Sequence, residues 1–197
     1  MKRTEAVYRE ILYRAIEKKQ FLLTQSELSR KLEMSLSIIN SAVKKLVSIG
    51  AVEIRQRSFR VVDVKKILYF WASIRNLEKD IVFKCRIEMS VREIERAMPD
   101  VLFACYSAYK LMFKDVPADY SEVYVYADEN ETNNIKKRLK DMMREDRKPN
   151  FFVLKKDSIL GNYQKMPVAQ IFVDLWNLKE WYARDFLNEI EKKIGGI

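Results

Sequence analysis

Residues 24–62 read TQSELSRKLEMSLSIINSAVKKLVSIGAVEIRQRSFRVV, and the order of signals in them decides the fold. Thr24 stands three places before Glu27, the hydroxyl-to-carboxylate spacing of a capping box. A helix is expected over 25–32, with Leu28 and Leu32 turned inward. Met34-Ser35 turns the chain, and Ser35 caps a second helix over 36–49. In that helix Ile38, Ile39, Ala42, Val43, Leu46 and Val47 recur at helical spacing and form the inward stripe. Gly50 ends it in the left-handed conformation that glycine tolerates best. Residues 52–61 then alternate apolar and polar at period two, as a β-ribbon does.

The outward face of the second helix holds Ser37, Asn40, Ser41, Lys44 and Lys45, with Ser35 at its start. Short hydroxyls and amides reach base edges, and lysines reach phosphates. The ribbon places Arg55, Arg57 and Arg60 on its polar face and tip. Helix, turn, helix and basic ribbon is the layout of a winged helix-turn-helix. Such a unit sends its second helix into the major groove while its wing follows the backbone or the minor groove. The expected partner is double-stranded DNA. An ordinary solvated surface is the plainer alternative, and winged helices also serve as protein–protein modules.

Charge supports a docking face. The 197 residues have a net charge of +9, and residues 1–62 hold thirteen of the 37 Lys/Arg against six of the 28 Asp/Glu. Most of the excess therefore sits beside the helix-turn-helix signal. The chain has no histidine, which removes the commonest general base and every Ser/His or Cys/His catalytic arrangement. Cys85 and Cys105 lack ligand spacing and read as small buried hydrophobes. No metal or other cofactor is expected. The longest apolar run, near 67–74, falls well short of the ~18 residues of a membrane span. The N-terminal residues lack the apolar core of a signal peptide, so a cytoplasmic protein with no membrane partner is expected.

Around the 24–62 unit, residues 4–19 read as an amphipathic helix, with Arg9, Glu10, Arg14 and Glu17 between Ala6, Val7, Ile11, Leu12, Ala15 and Ile16. Residues 21–23 read as a strand that pairs with the ribbon. Residues 63–77 give a helix whose broad apolar face (Val64, Ile67, Leu68, Phe70, Trp71, Ile74) suits packing against both halves or a homodimer seam. Beyond it, strands are expected at 80–89, 121–127 and 150–155. Helices are expected at 91–98, 101–113, 129–145, 168–176 and 179–194. Strands interspersed with helices make the chain α+β. Three parts follow: a winged helix-turn-helix over 1–63, a linker helix over 64–79, and an α/β domain over 80–197.

Four segments of that last part carry a resemblance: VLFACYSAYKLMF (101–113), SEVYVYAD (121–128), NFFVLKKD (150–157) and VAQIFVDLWN (168–177). In this order, behind a winged helix, they resemble the AbiEi-like antitoxins, the transcription-regulating partners of type IV toxin–antitoxin systems. The C-terminal part of those proteins resembles a degenerate nucleotidyltransferase. The resemblance implies transcription regulation and a toxin-like protein partner. An active nucleotidyltransferase needs a Gly-Gly or Gly-Ser pair at the first of these segments and Asp-x-Asp on the next. Here stand Cys105-Tyr106-Ser107 and Glu122-Val123-Tyr124-Val125-Tyr126. A magnesium site would have to use Glu122, Asp128 and Asp174. The chain is therefore expected not to be an enzyme. Asp174 reads as a helix carboxylate holding a nearby backbone or basic group, and the aromatics Phe172, Trp176, Trp181, Tyr182 and Phe186 as core or interface.

Overall fold

The computed structural model describes residues 1–144 and 146–195. It is an α+β fold with two sheets. The elements are α1 (Arg3–Glu17), β1 (Leu22–Leu23), α2 (Gln25–Leu32), α3 (Leu36–Ser48), β2 (Val52–Ile54), β3 (Phe59–Val61) and α4 (Val64–Ile74). There follow β4 (Ile81–Ile87), α5 (Val91–Ala97), β5 (Leu102–Ala104), α6 (Cys105–Phe113), β6 (Val123–Ala127) and α7 (Glu129–Leu139). The chain closes with β7 (Met143–Arg144), β8 (Phe151–Lys155), α8 (Val168–Trp176) and α9 (Ala183–Ile194). Among the described residues no helix is long and apolar enough to cross a membrane.

The first sheet runs β1-β3-β2, antiparallel throughout, so the short strand 22–23 does pair with the ribbon. The second runs β5-β6-β8-β4-β7, with β6 and β8 parallel and the other neighbours antiparallel. Alternation along β6 divides its side chains between two faces. Val123, Val125 and Ala127 join Ile94 of α5 and Ile135 and Leu139 of α7. Tyr124 and Tyr126 face the larger core, which runs without a break through α6, α8 and α9 to α1, α2, α3 and α4.

Two stretches, one apolar and one charged, resolve differently from their expected form. Residues 101–113 make the edge strand β5 and then α6, joined at Cys105, whose φ of 49° lets the chain pass from strand to helix at one residue. A short apolar run carries no periodicity that separates strand from buried helix, and here pairing with β6 decides it. The helix expected over 129–145 ends at Leu139; a 3₁₀ turn and β7 follow, and position 145 lies outside the described residues.

α1 departs furthest from expectation. Its charged residues are not on a wet face: Glu5, Arg9, Glu10 and Arg14 are all buried, because α2, α3, α4 and α8 surround the helix. Buried charge is tolerated only when paired and hydrogen-bonded, and each of these is. Arg9 donates from Nη1 and Nη2 to both Asp157 carboxylate oxygens, at 2.8 and 2.7 Å, and from Nη1 to Gln170 Oε1 at 3.3 Å. Gln170 Nε2 donates to Asp174 Oδ1 and to Tyr126 Oη, both at 3.0 Å. Tyr126 donates to Asp174 Oδ2 at 2.6 Å, and Arg75 Nε donates to Asp174 Oδ1 at 3.3 Å. Arg75 also holds Asp80, and its Nη1 lies 3.7 Å from Glu5 Oε2, which accepts from Trp71 Nε1 at 3.1 Å. Asp174 thus holds a basic group. Burial raises its pKa more than Arg75, Tyr126 and Gln170 lower it.

Removing one member of a buried charge network leaves the others uncompensated, at a cost of about 3–5 kcal/mol. Arg75→Met should lose that much unfolding free energy in urea. Adding Asp174→Asn should recover part of it, since the second change removes a stranded charge. Asp157 gives a pH prediction. Burial opposes its charge, but the bonds from Arg9 and from the Ile159 and Leu160 amides outweigh burial and lower its pKa. A folded value below the unfolded one of about 3.9 gives stability that is present above that value and lost as the pH falls through it toward the folded value. Urea unfolding at a series of pH values should show the wild type losing stability below about pH 4 more steeply than Asp157→Asn.

Candidate nucleic-acid interface

The candidate interface is built on two capped helices and a hairpin. Thr24 Oγ1 accepts from the Glu27 amide at 3.1 Å, which starts α2. The reciprocal half of the capping box is absent: the Glu27 carboxylate turns instead to Arg14 of α1 and fastens α2 to the central helix. Glu33 ends α2 in the left-handed region, and Ser35 Oγ accepts from the Ile38 amide at 3.4 Å to start α3. Ile39, Ala42, Val43 and Leu46 of α3 are buried, Ile38 half-buried. Val47 is exposed, at the margin of the stripe rather than within it.

Placement of the predicted residues is direct. Ser35, Ser37, Ser41, Lys44 and Lys45 are exposed, and Asn40 is half-buried on the same helix. Past α3, Gly50 takes φ 68°, and the Ala51 amide bonds to Leu46 O at 2.9 Å, which locks the start of β2 to the end of α3. The Arg55 amide bonds to Ser58 O at 2.8 Å and closes the hairpin. Arg55 and Arg57 therefore stand at its tip, and Arg60 lies in β3 opposite Glu53 and Leu22. All three arginines are exposed. Arg55 Nη2 lies 3.6 Å from Glu53 Oε2, an exposed pair of the kind that contributes little. Among the described residues, Lys44, Lys45, Arg57 and Arg60 have no ion-pair partner.

Three exposed residues of α2 and α3 lie outside the set expected from the sequence. Arg30 and Lys31 close α2 on its outer side, off the Leu28/Leu32 stripe that would have located them. Leu36, at the first position of α3, is 52% exposed. Its spacing from Ile39, Val43 and Leu46 places it on the inward stripe, so periodicity gives no signal of its exposure at the first turn.

The carboxylates of the catalytic alternative are engaged separately. Glu122 accepts from Tyr182 and from Ser121 Oγ, the latter at 2.9 Å. Asp128 caps α7 by accepting from the Glu131 amide at 2.8 Å, and Asp174 is the buried partner of Arg75. Among the described residues no group of three or more His, Cys, Asp or Glu side chains is placed to hold a metal ion. Cys105 is fully buried, and burial pushes its thiol pKa well up. Phe172 and Phe186 are buried, whereas Trp176 and Trp181 are 44% and 78% exposed.

Gly50 is the hinge between α3 and the hairpin. The nearest atom to an added Cβ would be the flexible Lys66 Nζ at 3.7 Å, so sterics do not forbid a side chain there. The positive φ does the damage, at about 1–2 kcal/mol. Gly50→Ala should lower the unfolding free energy by that amount, read as a shifted denaturant midpoint with an unchanged slope.

No protein-family model matches the chain, and neither a curated protein nor a solved structure does.

Proposed function

We propose that the protein is a DNA-binding transcriptional regulator, with residues 24–62 acting as a winged helix-turn-helix on duplex DNA. The observation that carries this reading is the joint exposure of the polar face of α3 and the arginine tip of the hairpin, held as one unit at Gly50 and Ala51. α3 enters the major groove, where Asn40, Ser37 and Ser41 meet base edges and Leu36 offers an apolar contact for a thymine methyl. Lys44, Lys45, Arg55, Arg57 and Arg60 bind phosphates, and Arg30 and Lys31 extend that footprint. Residues 80–197 act as a non-catalytic domain of degenerate nucleotidyltransferase type. Support for a non-catalytic role is the separate engagement of Glu122, Asp128 and Asp174.

In this reading the protein works as a homodimer on paired half-sites. Burial of Ile67, Leu68, Trp71 and Ala72 against α1 and α8 favours intramolecular packing over a dimer seam for the face of α4, and Ile74 is its exposed apolar residue. A second reading, an antitoxin-like module that binds a nucleotidyltransferase-type toxin, is favoured by Trp181. Tryptophan is enriched at protein–protein contacts, and Trp181 is 78% exposed.

A mobility-shift assay tests the DNA reading. Arg55→Ala with Arg57→Ala should weaken binding on all sequences and reduce the slope of log K against log salt by roughly 2, one per lost phosphate contact. Asn40→Ala should instead change sequence preference, by about 1–3 kcal/mol at one base pair. Binding untouched by either change would remove α3 and the hairpin as the DNA-contacting surface.

A further inference from the structure

The C-terminal half holds a cavity of about 220 Å³ with no part in the DNA reading. Its floor is the edge strand β5, at Leu102 and Phe103; one wall is α6, at Leu111 and Met112; the other is the segment 164–166, at Met166. Two residues break this apolar lining with charge. Lys114, which ends α6 in the left-handed conformation at φ 58°, and Lys165 both line the cavity. Both are exposed, and among the described residues neither has an ion-pair partner.

We propose that this cavity is a binding site for a small amphipathic carboxylic acid, its alkyl or aryl tail on Phe103, Leu111 and Met112 and its carboxylate between Lys114 and Lys165. An apolar pocket with a few convergent polar groups is the usual form of a small-molecule site, and the polar groups select the ligand's head. Two unpaired ammonium groups select an anion, and a planar carboxylate has two oxygens to offer them. The volume suits a free medium-chain acid and is too small for a drug-sized ligand.

Titration calorimetry on the whole chain tests the site with three probes that share one tail: octanoate, octanol and octylammonium. The wild type should bind octanoate saturably and at least ten-fold tighter than either of the others. Lys114→Glu with Lys165→Glu, both at exposed positions, should reverse the order and favour octylammonium. Leu111→Trp, also at an exposed position, should fill the cavity and abolish binding of all three, with circular dichroism confirming that each variant is folded. Absence of saturable octanoate binding overturns the proposal. So does equal affinity for octanoate and octanol, or octanoate binding that persists in Leu111→Trp.

Discussion

The structure depends on one buried network, with Arg75 at one end and Arg9 at the other. Between them Asp174, Tyr126 and Gln170 share their hydrogen bonds, so that the buried charges of Arg9, Arg75 and Asp174 each have a partner. Such a network is weak evidence for stability, because apolar residues of the same shape would cost no desolvation. Its effect is on arrangement. Arg75 sits where it meets Asp174, Asp80 and Glu5 at once, and that condition fixes α4 against α8 and α1 in one geometry. Apolar packing alone would leave those helices freer to slide.

The same constraint explains why α1 is buried on every side. A helix that carries Arg9, Glu10 and Arg14 would ordinarily turn them to water. Here each finds its partner in a different place: Asp157 just past β8, Tyr163 before α8, and Glu27 in α2. α1 thereby joins the proposed DNA-binding unit to the larger sheet, and the apolar core follows it across without a break.

What the sequence made legible is what its local signals encode. Thr24, Ser35 and Gly50 mark helix ends by chemistry within three or four residues of themselves, and α2, α3 and the ribbon appeared where those signals put them. The exposure of Ser37, Ser41, Lys44 and Lys45 on α3 followed from the same periodicity, whereas Val47, which it turned inward, is exposed. Partners more than a hundred residues away leave no local trace, so nothing near Arg9 announced Asp157 or Gln170. Nor did anything in 101–113 show that its first residues would pair with β6, since strand and buried helix draw on the same side chains. The lysines of the proposed acid site were invisible for the same reason: Lys114 and Lys165 line one cavity only after α6 folds beside the 164–166 segment.

That segment bears on how the two halves could communicate. Its neighbours clasp α1 from both sides: Tyr163 Oη donates to Glu10 Oε2 at 2.7 Å, and the Val168 amide donates to Glu17 Oε1 at 2.9 Å. Contiguity alone is not coupling; one element along the path must have two accessible arrangements. Arg75 and Arg9 are poor candidates, because releasing Arg75 takes the cation from the buried Asp174, and releasing Arg9 leaves its own buried guanidinium uncompensated. The clasp differs. Glu10 keeps Arg14 at 2.8 Å if Tyr163 leaves, and Glu17 is half-buried and can take water in place of the Val168 amide. Each bond is to a carboxylate and opens for about 1.5–3 kcal/mol, less than the about 3–5 kcal/mol of breaking a buried ion pair. A shift of the 164–166 wall would therefore reach α1 through Tyr163 and Glu17, while the network beneath stays closed.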